Sequence, residues 1–334
     1  MAAATAFFLF RVADGDVRVA LPSLPAQCYG RSCPLMLYRL QYLPLLVLVR
    51  FIGLLPRALA RGVGLLIAGA AYHLHPRLRR VGMRNLELAF PEKPVAERRS
   101  ILRGVYRSLG RLLAEFCLFP SYTRENVSQV ATYQGFENFE AAEKRGKGVL
   151  FLTGHFGGWE IGSFFHSLQG HPMRIVVRPI DNPFVDALVT RYRTLHGNGL
   201  IGKQGFARRL LAAMGNNETV GILMDTNMTP PQGVFVPFFG VPACTASGLA
   251  RIALRTDAAV VPGFTTWDDK AHKYTLHFDP ALELIRTGDD QADIVANTAL
   301  FTKVLEDHIR RNPDQWLWLH RRWKTRPEGE LPLY

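Results

Sequence analysis

Residues 148–160, Gly-Val-Leu-Phe-Leu-Thr-Gly-His-Phe-Gly-Gly-Trp-Glu, constrain the fold more than any other part of this chain. Val149 to Leu152 is a continuous apolar run with β-forming residues, the pattern of a strand covered on both faces. Gly154, Gly157 and Gly158 free the backbone for a sharp reversal, after which Trp159 and Glu160 open a helix. A doubly covered strand leading through a tight turn into a helix belongs to a layered α/β architecture.

The turn carries His155, and Glu160 follows it closely. On one regular helix that separation turns roughly 500°, leaving the two side chains about 140° apart, so they would not meet. They meet if His155 ends the strand and Glu160 sits in the first helical turn. A carboxylate placed there would fix the imidazole tautomer, raise its basicity and stabilise the imidazolium. Taken alone, a His beside a Glu is more often an ordinary hydrogen-bonded pair than a catalytic one. A zinc centre is disfavoured: there is no His-Glu-x-x-His, and His166 and His171 lack ligand spacing with His155. A serine hydrolase is disfavoured too, because no Gly-x-Ser-x-Gly elbow occurs.

Downstream, strands alternate with helices. The helix after strand 148–154 ends at Gly170, and a second strand spans Met173 to Arg178. Asp181-Asn-Pro183 then caps a helix to His196. A short strand at Leu200–Ile201, a helix over 204–215 and a strand from Val220 to Met224 follow. Beyond a Pro/Gly loop at Pro230–Gly233 come helix 247–255, strand 258–264, a candidate hairpin partner at Tyr274–Phe278 and a long helix from Ala292 to Arg311. This alternation predicts an α/β fold, a mainly parallel sheet with helices on both faces. Sites in such sheets form beyond the carboxyl ends of strands. His155, Arg178 and Asp225 all fall there, which makes them candidates for one site.

Upstream, residues 1–34 are poorly patterned and read as an extension broken by Pro22, Pro25 and Pro34, with Met36 an alternative start. Ala6–Phe10 is too short, and lacks a preceding basic residue, to be a signal peptide. Residues 35–84 are apolar but interrupted by Arg39, Arg50, Arg57 and Arg61, and end in the basic group Arg77, Arg79, Arg80 and Arg84. They suit membrane attachment, as a marginal span or as helices lying in the interface; ordinary core helices fit the composition equally. Residues 85–334 then form the α/β domain, entered through a packing helix from about Val95 to Phe119. The chain carries 40 Lys and Arg against 28 Asp and Glu, a net charge of +12 that favours anionic partners. Cys28, Cys33, Cys117 and Cys244 are scattered, which argues against a disulfide framework and fits a reducing compartment.

His155-Phe-Gly-Gly-Trp-Glu160 resembles the His-x-x-x-x-(Asp/Glu) motif of membrane-associated acyltransferases, and most closely the late acyltransferases of lipid A biosynthesis (the lauroyl and myristoyl transferases). The likeness continues through Val177-Arg-Pro-Ile-Asp-Asn-Pro183, Asp225, Val234-Phe-Val-Pro-Phe-Phe-Gly240 and Trp316-Leu-Trp-Leu-His-Arg-Arg-Trp-Lys324, roughly residues 35 to 327. Gly158 stands where many members carry Asn. The resemblance implies a glycerolipid-acyltransferase-like fold behind N-terminal membrane-associated helices. It implies an enzyme at the cytoplasmic face of a bacterial inner membrane that moves a fatty acyl chain from acyl carrier protein, or acyl-CoA, to a hydroxyl of a lipid A precursor. No metal or other cofactor is expected; the partners are the carrier protein, a glycolipid acceptor and an anionic membrane surface, not nucleic acid.

In that chemistry His155 removes the hydroxyl proton and Glu160 orients it. Arg193 matches an arginine segment of the family and would support the oxyanion or bind phosphate; for Arg191 and Arg193 a solvated helix face is an even alternative. Arg178 would take an acceptor phosphate, against a structural ion pair with Asp181. Asp225 is divided between a site role and capping a turn. Phe238 and Phe239 would line an acyl groove or belong to the core. Trp316, Trp318 and Trp323, interleaved with His320, Arg321 and Arg322, suit a membrane interface and phosphate contact, with His320 and Arg322 the candidate ligands. Lys203, Arg208 and Arg209 read as solvated charge. Rival readings are an acyltransferase for another glycolipid or a lysophospholipid, such as a phosphatidylinositol mannoside, and a non-catalytic basic protein that binds membrane or nucleic acid.

Overall fold

Strand β2 (Val149–Thr153) lies inside a seven-stranded sheet of order β1-β9-β8-β2-β5-β3-β4 in a computed structural model that describes residues 35–202 and 204–334. Its neighbours β8 (Ala259–Asp268) and β5 (Thr219–Leu223) run parallel to it, and β3 (Arg174–Val176) and β4 (Gly199–Ile201) continue the parallel block. The hairpin expected after β8 forms: β9 (Lys273–Phe278) is antiparallel to β8, and β1 (Ala131–Gln134) is parallel to β9. The extension at residues 1–34, with Cys28 and Cys33, and the charge at Lys203 lie outside the described residues.

Alternation along β2 explains the two faces. Val149 and Phe151 point into one cluster, shared with α4 (Val95–Leu118), α6 (Trp159–Leu168) and α7 (Pro183–Arg193). Leu150 and Leu152 point into another, shared with α8 (Phe206–Gly215) and α9 (Gly248–Thr256) and with Phe301 of α10 (Asp290–Arg311). A short helix, α5 (Phe136–Glu143), contributes Phe139 and Ala142 to the first cluster. The second strand stops at Val176 rather than Arg178; Pro179 has no N–H to extend the ladder, and Arg178 is exposed on the loop that follows.

Residues 233–246 depart from expectation. They form a separate antiparallel pair, β6 (Gly233–Phe238) and β7 (Val241–Ala246), closed by Phe239-Gly240. Both turn residues have positive φ, 51° and 76°, the signature of a tight two-residue hairpin turn. Phe239 is held in this conformation by its N–H donating to the Glu306 carboxylate and by Arg310 over its ring at 4.5 Å. Phe238 and Phe239 are therefore buried in a hairpin whose tip at Gly240 is exposed, and do not form the wall of an open groove.

At the N-terminal side, α1 (Leu35–Gly53), α2 (Arg57–Leu74) and α3 (Pro76–Ala89) pack on α4, and α1 also on α7. Leu45, Val49 and Ile52 of α1 are buried in the cluster that holds Val149 and Phe151. Asn182 caps α7 by accepting from Phe184 and Val185 and donates to the Tyr38 carbonyl, pinning α1. Helices α2 and α4 cross at glycines: a Cβ on Gly64 would lie 2.2 Å from the Gly110 carbonyl oxygen. Gly110→Val should push the helices apart and lower unfolding stability by about 1–3 kcal/mol, measured by thermal or urea unfolding in detergent. Wild-type stability in that variant would contradict the close crossing.

Candidate active site

The centre of the site follows from strand register. Thr153 of β2 pairs with Leu223 of β5, so His155 and Asp225 each stand two residues beyond a matched pair on adjacent strands. The ring nitrogen Nδ1 of His155 is 2.8 Å from Asp225 Oδ1, and the His155 backbone N–H donates to Oδ2 at 2.6 Å. Trp316 Nε1–H donates to the same Oδ2 at 2.8 Å. Asp225 is fully buried, so these donors replace its solvation. An ionised carboxylate accepts only; the His155 proton therefore resides on Nδ1 and Nε2 is the lone-pair nitrogen, partnerless among the described residues. The His155 side chain keeps 25% exposure.

Burial opposes charge on His155, but the Asp225 carboxylate outweighs it and raises the imidazole above its ordinary 6.5. Burial likewise opposes ionisation of Asp225, and the His155 charge and hydrogen bonds overcome it, holding the carboxyl well below the usual 3.8. The His155 contribution to stability is complete below 6.5 and lost as pH rises through the raised folded value. The Asp225 contribution is complete above 3.8 and lost as pH falls through the depressed one.

Glu160, which its place in the first helical turn makes a candidate partner of His155, does not hydrogen-bond it. Its carboxylate is clamped by Arg193 through Nε at 2.9 Å and through Nη2, a bidentate pair that is nearly buried. Burial would raise the Glu160 carboxyl, and Arg193 reverses the shift, so it stays ionised. The physical reason is position: Glu160 lies in the first turn of α6 and Arg193 in the last turn of α7, and the two ends face each other. Glu160 and His155 still bias each other's charge through space.

The glycine turn is held as tightly as the charges. Gly157 N–H donates to the Gln315 carbonyl at 2.7 Å, and Gly158 N–H donates to the Thr265 carbonyl at 2.9 Å. Gly157 has φ +53°, and a Cβ there would sit 1.9 Å from the Thr265 oxygen.

Other expected residues fall elsewhere. Arg178 is exposed beyond β3 and makes no ion pair with Asp181 among the described residues. Phe238 is wholly buried against Trp316 and Trp323. Arg322 is wholly buried under Phe238, its ring centroid 5.0 Å away, and donates to the Cys244 carbonyl and Thr245 hydroxyl. His320 sits behind Asp225 with its ring nitrogens near the carbonyls of Leu317 and Asp225, at 3.0 and 3.1 Å; burial pushes it down to about 4. Trp316, Trp318 and Trp323 are fully buried, which corrects the expectation of an interfacial aromatic surface. Their indole N–H groups donate to Asp225, Pro313 O and Val241 O, so the aromatic segment satisfies its polar atoms inside the fold. Spacing had not identified Asp225 as the partner of His155; the equal offset of both from their apolar strands was the available signal.

A family model described as "Bacterial lipid A biosynthesis acyltransferase" matches residues 35–325. The chain is similar to a lipid A biosynthesis palmitoleoyltransferase of Escherichia coli K12, 29% identical over 273 residues, 81% of this chain and 87% of the relative. It is 29% identical over 281 residues to a lipid A biosynthesis lauroyltransferase of the same organism, 84% and 90% of the two chains. A lipid A biosynthesis myristoyltransferase from that strain is 26% identical over 258 residues, 77% and 78% of the two chains.

Asp225→Asn removes the charge that raises His155. In NMR of 13C-labelled histidine, His155 should titrate above 6.5 in the wild type and at lower pH in the variant. Identical titrations would contradict the pairing.

Proposed function

The chain belongs to the bacterial lipid A biosynthesis acyltransferases, and on that footing we propose that it transfers a fatty acyl chain from acyl carrier protein, or acyl-CoA, to a hydroxyl of a lipid A precursor. The observation that carries the mechanism is the His155–Asp225 pair, with Nδ1 committed to a buried carboxylate on a side chain that is partly exposed. In the proposed reaction Nε2 takes the acceptor hydroxyl proton while the alkoxide oxygen attacks the thioester carbonyl. The tetrahedral oxyanion then collapses, the C–S bond breaks, and the proton on Nε2 passes to the departing thiolate. The products are an ester and a free thiol, with no covalent acyl-enzyme.

Asp225 stabilises the imidazolium formed midway, the part first expected of Glu160. Glu160 instead holds Arg193, whose Nη1 is not used in the clamp and can serve the oxyanion. Breaking a nearly buried ion pair leaves an uncompensated charge, so Glu160 is a positioning residue in this scheme. The net charge of +12 suits an acidic carrier protein and an anionic bilayer.

Residues 35–84 serve as the membrane-attachment region of this proposal and 85–334 as the transfer domain, with 1–34 an extension. Leu37, Leu40, Leu43, Val47, Phe51 and Leu54 are exposed on and just beyond α1, and Leu59 and Leu66 on α2. The opposite stripe of α1 is docked on the protein, which favours a helix lying in the interface of the cytoplasmic face over a free span.

Lipid A from a host lacking one late acyl chain should gain the mass of one acyl group when this protein is supplied. His155→Ala should cut turnover about 100- to 10,000-fold with folding intact. No mass gain from well-expressed wild type would overturn the lipid A reading. A fully active His155→Ala would overturn the mechanism. Replacing Leu40, Leu43 and Val47 with Glu should release the protein from the membrane fraction in flotation; unchanged flotation would remove α1 from the attachment surface.

A further inference from the structure

Tyr274 of β9 is fully buried, yet its hydroxyl has no hydrogen-bond partner among the described residues. Around it stand Arg57 and Arg61, one turn apart on α2, and Arg111 of α4, together with Glu115. The charges do not balance there. Glu115 is taken by Arg57 at 2.8 Å and by the Tyr122 hydroxyl. Arg111 is 7% exposed with Nε unpartnered, and the carboxylate near it, on Asp269, is 3.6 Å away and largely in solvent. Arg61 reaches the His272 carbonyl at a long 3.5 Å. Both guanidiniums lie over the Trp267 ring, at 5.3 Å for Arg61 and 5.0 Å for Arg111. Three guanidiniums thus face one buried carboxylate, Glu115, which Arg57 already pairs, while Asp269 meets Arg111 and the Trp267 indole N–H only from the solvent side; the buried Tyr274 hydroxyl beside them has no partner, which a buried polar group does not ordinarily tolerate.

Its position gives the arrangement meaning. Trp267 and Tyr274 are cross-strand partners at the end of β8. That is the end where Gly157 bridges to Thr265, and the Tyr274 ring fills the space beside Gly158. The nook therefore adjoins the turn that carries His155. Its other wall, α2, bears the exposed leucines.

We propose that Arg61, Arg111 and the Tyr274 hydroxyl form an anion site for the phosphate monoester of a membrane lipid, with Trp267 as its floor. A dianionic phosphate accepts charge-assisted hydrogen bonds from both guanidiniums and one from the hydroxyl, which burial keeps protonated and therefore a donor. The phosphate has two sources: the acceptor itself, which rests on the lipid A reading, or the monoester headgroup of phosphatidic acid in the surrounding bilayer.

The test uses the full-length protein in detergent, reading Trp267 fluorescence as the difference between wild type and Trp267→Phe. The probes are short-chain phosphatidic acid, short-chain phosphatidylcholine, and a bisphosphorylated glucosamine-disaccharide lipid with its dephosphorylated form. Wild type should saturate with the two phosphomonoester probes and not with phosphatidylcholine or the dephosphorylated disaccharide. Tyr274→Phe removes a hydroxyl that holds nothing in the fold, so its melting temperature should not fall. Its affinity for the phosphorylated probe should drop about tenfold, as should that of Arg61→Gln, with KM for a phosphorylated acceptor rising to match and kcat unchanged. Equal saturation by phosphatidic acid and by the disaccharide assigns a general headgroup site; saturation by the disaccharide alone assigns the acceptor's phosphate. Wild-type affinity and KM in both variants would overturn the site while leaving acyl transfer standing. Phosphate-dependent binding without acyl transfer by wild type would overturn the functional reading while leaving the site.

Discussion

A fully buried carboxylate is the constraint on which the rest of the site depends. Asp225 accepts from the His155 backbone, the His155 ring and the Trp316 indole, which come from the turn after β2 and from the segment after α10. Without those donors the burial of its charge would cost several kcal/mol. The backbone bond fixes where His155 begins, the ring bond fixes which nitrogen is protonated, and the indole bond fixes where the last segment of the chain must pass. One interaction thus sets a turn, a tautomer and a tertiary contact. Gly154 fits the same requirement, since a Cβ there would lie 3.0 Å from Asp225 Oδ2.

The Glu160–Arg193 pair is a second, separately supported layer. Glu160 sits where the positive end of α6 favours an anion, and Arg193 sits where the negative end of α7 favours a cation. Each charge is therefore partly stabilised by its own helix before the two meet, which reduces the desolvation the pair must offset. The result is a rigid guanidinium close enough to His155 to influence its ionisation. The facing ends of two helices in this way hold the Arg193 guanidinium at a fixed place.

The parts of this architecture legible in sequence were those governed by local pattern. The apolar run at Val149–Leu152, the cap at Asn182 and the alternation of strands and helices report short-range physics, and β2, α7 and the parallel block follow from them. The partner of His155 was not legible because it depends on which strand lies beside β2. The chain passes from β2 to β3 and β4 before β5 returns to the vacant place between β2 and β3. Spacing along the chain favoured Glu160; adjacency in the sheet favours Asp225. The Trp-rich segment misled for a related reason. Composition cannot distinguish aromatics mixed with cations at a membrane from aromatics buried over a cation, and Arg322 beneath Phe238 is the latter. Phe238-Phe239-Gly240 hid a hairpin because Phe239 occupies the left-handed region that normally signals glycine or asparagine.

The closing segment gives the site an unusual dependence on the end of the chain. Leu317 N–H donates to the His155 carbonyl at 3.0 Å, Trp316 bridges Phe156, and Gln315 receives the Gly157 N–H. Asn85 of α3 then binds the carbonyls of Trp318 and His320, while Tyr334 donates to Asn85 in turn. Residues from the first third and the last quarter of the chain thus lock the turn that carries His155. Contacts of such long sequence separation close late, because loop entropy must be overcome before they reward the chain. The sheet can form from local strand and helix units, but the geometry of His155 also draws on α3 and on the segment after α10. That coupling makes the buried aromatic segment part of the site even though its side chains never reach the surface where an acceptor would arrive.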